Sequence, residues 1–142
     1  MSCPFCHLRL NRNPVIYEGQ NVIVFPSNPR LMPGHLLVVP KRHIERPSQM
    51  TADERKELFD TVLLFQDKII NKVSQGCDIR ENYHPFRKED DHSKVHHIHF
   101  HLIPRNPNDD IYEKYEKLQL DVFHMLTPEE IDETIQLLKG DQ

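Results

Sequence analysis

Apolar and polar positions along this 142-residue chain follow two periods, and the switches between them mark its elements. Residues Val15–Tyr17 and Val22–Phe25 form short apolar runs of strand length. Glu18-Gly19-Gln20-Asn21 between them has the composition of a hairpin turn. Pro29 and Pro33-Gly34 then punctuate a loop, and Leu36–Val39 reads as a buried strand stopped by Pro40. Thr51-Ala52-Asp53-Glu54 is a capping box, in which the Thr51 hydroxyl accepts from a free helix N–H while Glu54 reaches back. Behind it Leu58, Val62, Phe65, Ile69 and Val73 recur at helical steps, which predicts one apolar helix face closed by Gly76.

Cys77–Tyr83 is a further strand segment, followed by a polar loop from Pro85 to Ser93 and a strand from Val95 to Ile103 ended by Pro104. Residues 105–126 show no clear period. Thr127-Pro128-Glu129-Glu130 is a second capping box with proline at the first helical position, and Ile131, Ile135 and Leu138 make the short helix behind it amphipathic. Strands, helix, strands, helix is the order of an α+β fold, with a mostly antiparallel sheet, one long helix and a short C-terminal helix. The length suits one domain over 1–142, with its core in about 3–105 and a C-terminal extension over 106–142.

Composition narrows the function classes. No apolar run approaches the ~20 residues of a spanning helix, and no basic-then-apolar stretch opens the chain, so neither a membrane span nor a secretory signal is expected. A net charge of −4 argues against a general nucleic-acid binder or a membrane-surface protein. Three cysteines, Cys3, Cys6 and Cys77, are too few for a disulfide framework and fit a reducing, cytoplasmic setting. Histidine is the exception to an ordinary composition: there are ten, and four of them, His96, His97, His99 and His101, fall within six positions.

Along a strand, alternate side chains share a face, so His97, His99 and His101 line one side while Ile98, Phe100 and Leu102 line the other. The apolar side covers a core. Three imidazoles in a row have no packing rationale, because each buried one without a partner costs about 1–3 kcal/mol. A single metal held by all three is disfavoured: residues two apart on a strand lie ~6.6 Å apart and residues four apart ~13 Å, against zinc–nitrogen bonds of ~2.1 Å. The row suits an extended anionic group instead. Like-charged neighbours disfavour protonation of the middle ring, which leaves His99 a lone pair for in-line attack on phosphorus.

The run His97-Ile98-His99-Phe100-His101-Leu102-Ile103 resembles the His-φ-His-φ-His-φ-φ signature of the histidine-triad (HIT) family, and Met32-Pro33-Gly34-His35-Leu36-Leu37-Val38-Val39-Pro40-Lys41-Arg42-His43-Ile44 resembles its Pro-Gly-His block. The resemblance implies a homodimeric α+β fold that hydrolyses or transfers at the α-phosphate of a nucleotide. By motif position, His99 would form a nucleotidyl-histidine intermediate later cleaved by water. His97 would orient it, and His101 and His35 would contact phosphate or assist the leaving group. Histidine rather than glutamine at 101 leans toward a hydrolase of dinucleoside polyphosphates or nucleoside phosphoramidates. The nucleotide would lie along Phe25, Ser27, Asn28, Asn82, Ser93 and Lys94. Ser27 stands where family members often carry Asn or Asp, and Ser93 where they often carry Gln.

Cys3-Pro4-Phe5-Cys6 resembles a glutaredoxin motif, but no strand can precede residue 3 as that chemistry requires. Two cysteines spaced by two residues can also chelate one tetrahedral ion. By analogy with bacterial family members, the resemblance implies a structural zinc held by Cys3, Cys6, His43 and His97, with His7 a competing ligand. The expected partner is thus a nucleotide substrate. A non-catalytic nucleotide-binding or zinc-scaffold module, or a nucleotidyltransferase, is the alternative.

Overall fold

The computed structural model describes residues 3–8, 14–87 and 95–140, which divide into two compact units, one within residues 1–107 and one within residues 108–142. The first unit is a five-stranded antiparallel sheet carrying one long helix. Its strands are β1 (Tyr17–Glu18), β2 (Val22–Pro26), β3 (Leu36–Pro40), β4 (Gly76–Arg80) and β5 (Phe100–Arg105), in the spatial order β1-β2-β3-β5-β4. The α+β class expected from the sequence is the one observed.

The two faces of the sheet are both covered, for different purposes. Val22, Val24, Leu36, Val38, Phe100 and Leu102 face helix α1 (Ala52–Lys72) and pack with its Leu58, Val62, Phe65 and Ile69 in the main core. Each such side chain taken fully out of water contributes ~1.5–3 kcal/mol, so this layer fixes the register of the sheet. Ile23, Phe25, Leu37 and Val39 project from the opposite face, where Leu8 and Phe5 of the N-terminal segment cover them. The histidine row lies on this second face.

Helix α1 begins at the expected capping box: Glu54 N–H donates to Thr51 Oγ1 at 3.2 Å, and Thr51 N–H donates to Glu54 Oε1 at 2.8 Å. It ends earlier than the apolar spacing suggests. Val73 and Ser74 N–H both turn back onto the Ile69 carbonyl, Val73 is half exposed, and Gly76 opens β4 instead of closing the helix.

The expected strand Val95–Ile103 is also displaced, because ladder pairing begins only at Phe100 and runs past Pro104 to Arg105. The reason lies in β3. Pro40 has no N–H to offer a strand partner, and its carbonyl accepts instead from the His97 ring. Residues 95–99 therefore run alongside without a continuous ladder, although Ile98 N–H donates to the Ile44 carbonyl at 2.7 Å. The alternation of faces survives: Ile98, Phe100 and Leu102 are all in the core.

In the second unit, Asp109 anchors a π-helical turn, Tyr112–Glu116, by accepting from Tyr112 N–H through Oδ1 and from Glu113 N–H through its carbonyl. The short helix α2 (Lys117–Gln119) follows. Helix α3 (Pro128–Lys139) starts at the expected Thr127/Glu130 capping box, and its apolar residues Ile131, Ile135 and Leu138 are exposed. Among the described residues, no helix is long and apolar enough to cross a membrane.

Candidate active site and metal centre

The turn that delivers His35 depends on glycine. Gly34 has φ +89°, a left-handed conformation, and an added Cβ would meet Val73 Cγ1 at 3.0 Å and Pro104 Cγ at 3.2 Å. From that turn His35 points across the start of β3 toward β5. Leu31 N–H donates to His35 Nδ1 at 3.0 Å, so Nδ1 carries the lone pair and the proton sits on Nε2. Nε2–H in turn donates to His101 Nδ1 at 2.9 Å, which places the proton of His101 on its own Nε2. Burial, helped by Arg80 and by His99 beside it, pushes His35 down to about 4, which keeps that ring neutral at pH 7.

His99 is fixed in the opposite sense. Its Nδ1–H donates to the His97 carbonyl at 2.8 Å, so Nε2 holds the lone pair. The His99 and His101 rings stand 4.8 Å apart. One ring thus presents a nucleophilic nitrogen and its neighbour an N–H donor, from adjacent positions on one face. They open into a cleft that Phe25, Ser27, Asn28, His35, Leu37, Arg80 and Asn82 also line.

On the other side of His97 lies a second cluster. His97 Nε2–H donates to the Pro40 carbonyl at 2.8 Å, which turns the Nδ1 lone pair toward the N-terminal turn. There Nδ1 lies 3.4 Å from Cys3 Sγ and 3.5 Å from Cys6 Sγ, and His43 Nδ1 lies 3.4 Å from Cys6 Sγ. All four ligand atoms fall within 4.8 Å of one another. A tetrahedral zinc with bonds of ~2.1–2.3 Å has ligand–ligand edges of ~3.4–3.8 Å, so the spacing and the sulfur–nitrogen donor set both fit that ion. His43 Nε2–H reaches Glu45 Oε1 at 3.3 Å, an outer contact of the kind that orients metal-bound imidazoles. Burial pushes the Cys6 thiol up, and Cys3 beside it adds to the shift.

The same fold appears elsewhere. A family model described as the HIT domain matches residues 9–108. The chain belongs to the HIT family. An uncharacterized HIT-like protein of Methanocaldococcus jannaschii is 30% identical over 97% of this chain and 99% of its own length. A Schizosaccharomyces pombe bis(5'-nucleosyl)-tetraphosphatase (asymmetrical) is 29% identical over 72% of this chain and 58% of that protein. The crystal structure of a HIT family member from Bacillus subtilis superposes with a TM-score of 0.74, at 25% identity, covering 98% of this chain and 96% of that one. Membership places the chain in a superfamily of hydrolases and nucleotide-binding proteins.

Within this HIT domain the structure brings His35, His99 and His101 together, with Phe25, Ser27, Asn28 and Asn82 along the same cleft. The Ser27 hydroxyl donates to the Pro29 carbonyl at 2.8 Å. His97 turns its ring away from the cleft into the cysteine cluster and serves His99 only through its carbonyl. His43, not His7, completes that cluster. Ser93 and Lys94 lie outside the described residues.

Several cleft residues were not foreseen, Phe5 and Arg80 among them. Phe5 stacks edge-on against His99 at 5.2 Å between ring centroids and against Phe25 at 5.5 Å. It sits between the two cysteines, so the turn that presents the thiols also carries an aromatic ring to His99. Arg80, on edge strand β4, stands opposite His101. Its alternation with Asp78 and Asn82 was a usable signal, but the pairing register was needed to see which face it shared.

Proposed function

We propose that this protein hydrolyses nucleotides at the α-phosphate through a nucleotidyl-His99 intermediate. The observation that carries the reading is the tautomer of His99: Nδ1–H is committed to the His97 carbonyl, and Nε2 is left to attack. In the first step Nε2 bonds to the α-phosphorus while the bond from phosphorus to the leaving group breaks, its electron pair going to the leaving atom. His101 Nε2–H, fixed by His35, donates to that atom. His99 becomes an N-nucleotidyl imidazolium whose remaining proton stays on Nδ1, against the carbonyl. Water then attacks phosphorus, the N–P bond breaks with its electron pair returning to His99 Nε2, the water's proton passes to solvent, and a nucleoside monophosphate leaves. Dinucleoside polyphosphates and nucleoside phosphoramidates are the substrate classes that fit.

The test is a substrate panel read by mass spectrometry, with and without His99→Ala. Turnover together with a mass adduct on His99, both lost in the variant, is the expected result. Turnover that persists in His99→Ala overturns the mechanism. Binding without turnover or adduct would favour a nucleotide-binding module instead.

The reading extends to the rest of the chain. Cys3, Cys6, His43 and His97 hold a structural zinc that, when bound, ties the N-terminal turn to the strand leading into β5. The whole of 1–142 acts as one HIT-like domain with its core in 3–105. The protein is a cytoplasmic homodimer, supported by an exposed apolar stripe on α1 formed by Phe59, Leu63 and Ile70 beside the open edge of β4. Sedimentation of Leu63→Glu as a monomer, against a dimeric parent, checks the pairing face. A monomeric parent refutes it.

A further inference from the structure

Arg80 forms part of the cleft wall beside the histidine relay. Directly opposed residues in an antiparallel ladder project from the same face, and Arg80 opposes His101 in the β4–β5 register. Asp78, on the same face of β4, accepts from Arg80 Nη2 at 2.9 Å and from Arg105 Nη1 at 2.6 Å. The Asp78 and Arg80 side chains are both 37% exposed, and an ion pair so open to water adds only ~0–1 kcal/mol to stability. That pair by itself gives little reason of stability for a guanidinium here. What the pair does accomplish is to hold that guanidinium on the cleft face, where its charge is felt at His35.

The cleft needs such a cation. His35 and His101 each accept a hydrogen bond at Nδ1 and are neutral, so these two rings supply hydrogen bonds but no positive charge. Arg80 and Arg30 are the arginines among the residues lining the cleft.

We propose that Arg80 binds the phosphates of the leaving group, so that this chain selects nucleotides whose α-phosphate carries an anionic oligophosphate over those whose α-phosphate carries an amine. The inference rests on the reading of His99 as the nucleophile. As His99 Nε2 bonds to the α-phosphorus, the bond from phosphorus to the bridging oxygen breaks and its electron pair becomes negative charge on the departing oligophosphate. A guanidinium beside that group opposes the charge through paired N–H donors. A departing amine takes up a proton, drawn from solvent, rather than carrying added negative charge, so a guanidinium offers it little.

The experiment compares kcat/KM on diadenosine tetraphosphate and on adenosine 5'-phosphoramidate for the parent, Arg80→Met and Arg80→Lys. The ratio of the two is expected to fall at least about tenfold in Arg80→Met and to recover in part in Arg80→Lys. An unchanged ratio, or an equal loss on both substrates, overturns the proposal, since a merely structural arginine lowers both alike. Calorimetry gives a readout independent of turnover: the parent should bind ATP more tightly than AMP, and Arg80→Met should lose that preference. Equal affinities in the parent refute the Arg80 assignment even if His99 forms its adduct. Absence of the adduct with every nucleotide refutes the mechanism instead.

Discussion

His35 donates from Nε2 to His101 Nδ1 at 2.9 Å, and the direction of that hydrogen bond is set from outside the pair by the Leu31 N–H. The backbone thereby dictates the protonation of a ring two bonds away. Replacing His35 with alanine removes the donor, frees His101 to take either tautomer, and should lower kcat by roughly 10²-fold, the scale of a misplaced general acid. Steady-state release of nucleoside monophosphate measures it, and a kcat within twofold of the parent would show that the relay is idle.

Acid should weaken the fold in two stages. Unfolded His35 takes its proton near 6.5, while in the fold burial holds it at about 4, so between those values the unfolded chain binds more protons and stability drops as pH drops. Glu54 acts lower. Arg42 donates to both its oxygens, at 3.1 and 2.8 Å, and holds it at about 2 against an ordinary 4.5. Its contribution is present above about 4.5 and lost as pH falls toward 2. Urea midpoints at pH 7, 5 and 3.5 should decrease in order, with the first decrement reduced in His35→Gln.

Gly34→Ala tests the turn. The side chain would sit at φ +89° against Val73 and Pro104, and the cost should be about 1–3 kcal/mol. Chemical denaturation reads this, and an unchanged midpoint would mean that the turn relaxes freely.

Metal content should track the N-terminal turn. Purified protein is expected to contain about one zinc per chain by elemental analysis, in keeping with one closed tetrahedral site. Cys6→Ser should lose it together with thermal stability. A parent devoid of zinc after growth in zinc-supplemented medium would remove the metal from the account.

Much of the site was legible because its chemistry is written in local patterns. The triad alternation and the Pro33-Gly34-His35 turn each span a few residues, and both capping boxes start helices where expected. What escaped depended on long-range pairing. The start of β5 at Phe100 follows from Pro40, a residue some sixty positions earlier that cannot donate to a ladder. Phe5 reaches His99 only because the N-terminal segment folds back over the sheet. Arg80 acquires its meaning from a register no single segment reveals. Val73 belongs to the helical spacing but not to the buried face, because α1 has already ended at Lys72.

Three polar groups of His97 are engaged, each with a different part of the chain: Nδ1 with the two cysteines, Nε2 with the end of β3, and the carbonyl with His99. Only the first two belong to its side chain. Exchanging that imidazole thus detaches the N-terminus and loosens β3 at one stroke, while the group that orients the nucleophile is peptide and stays with any amino acid placed there. An inactive variant at position 97 would consequently report a collapsed scaffold, and the orienting role of this residue is beyond the reach of ordinary side-chain mutagenesis.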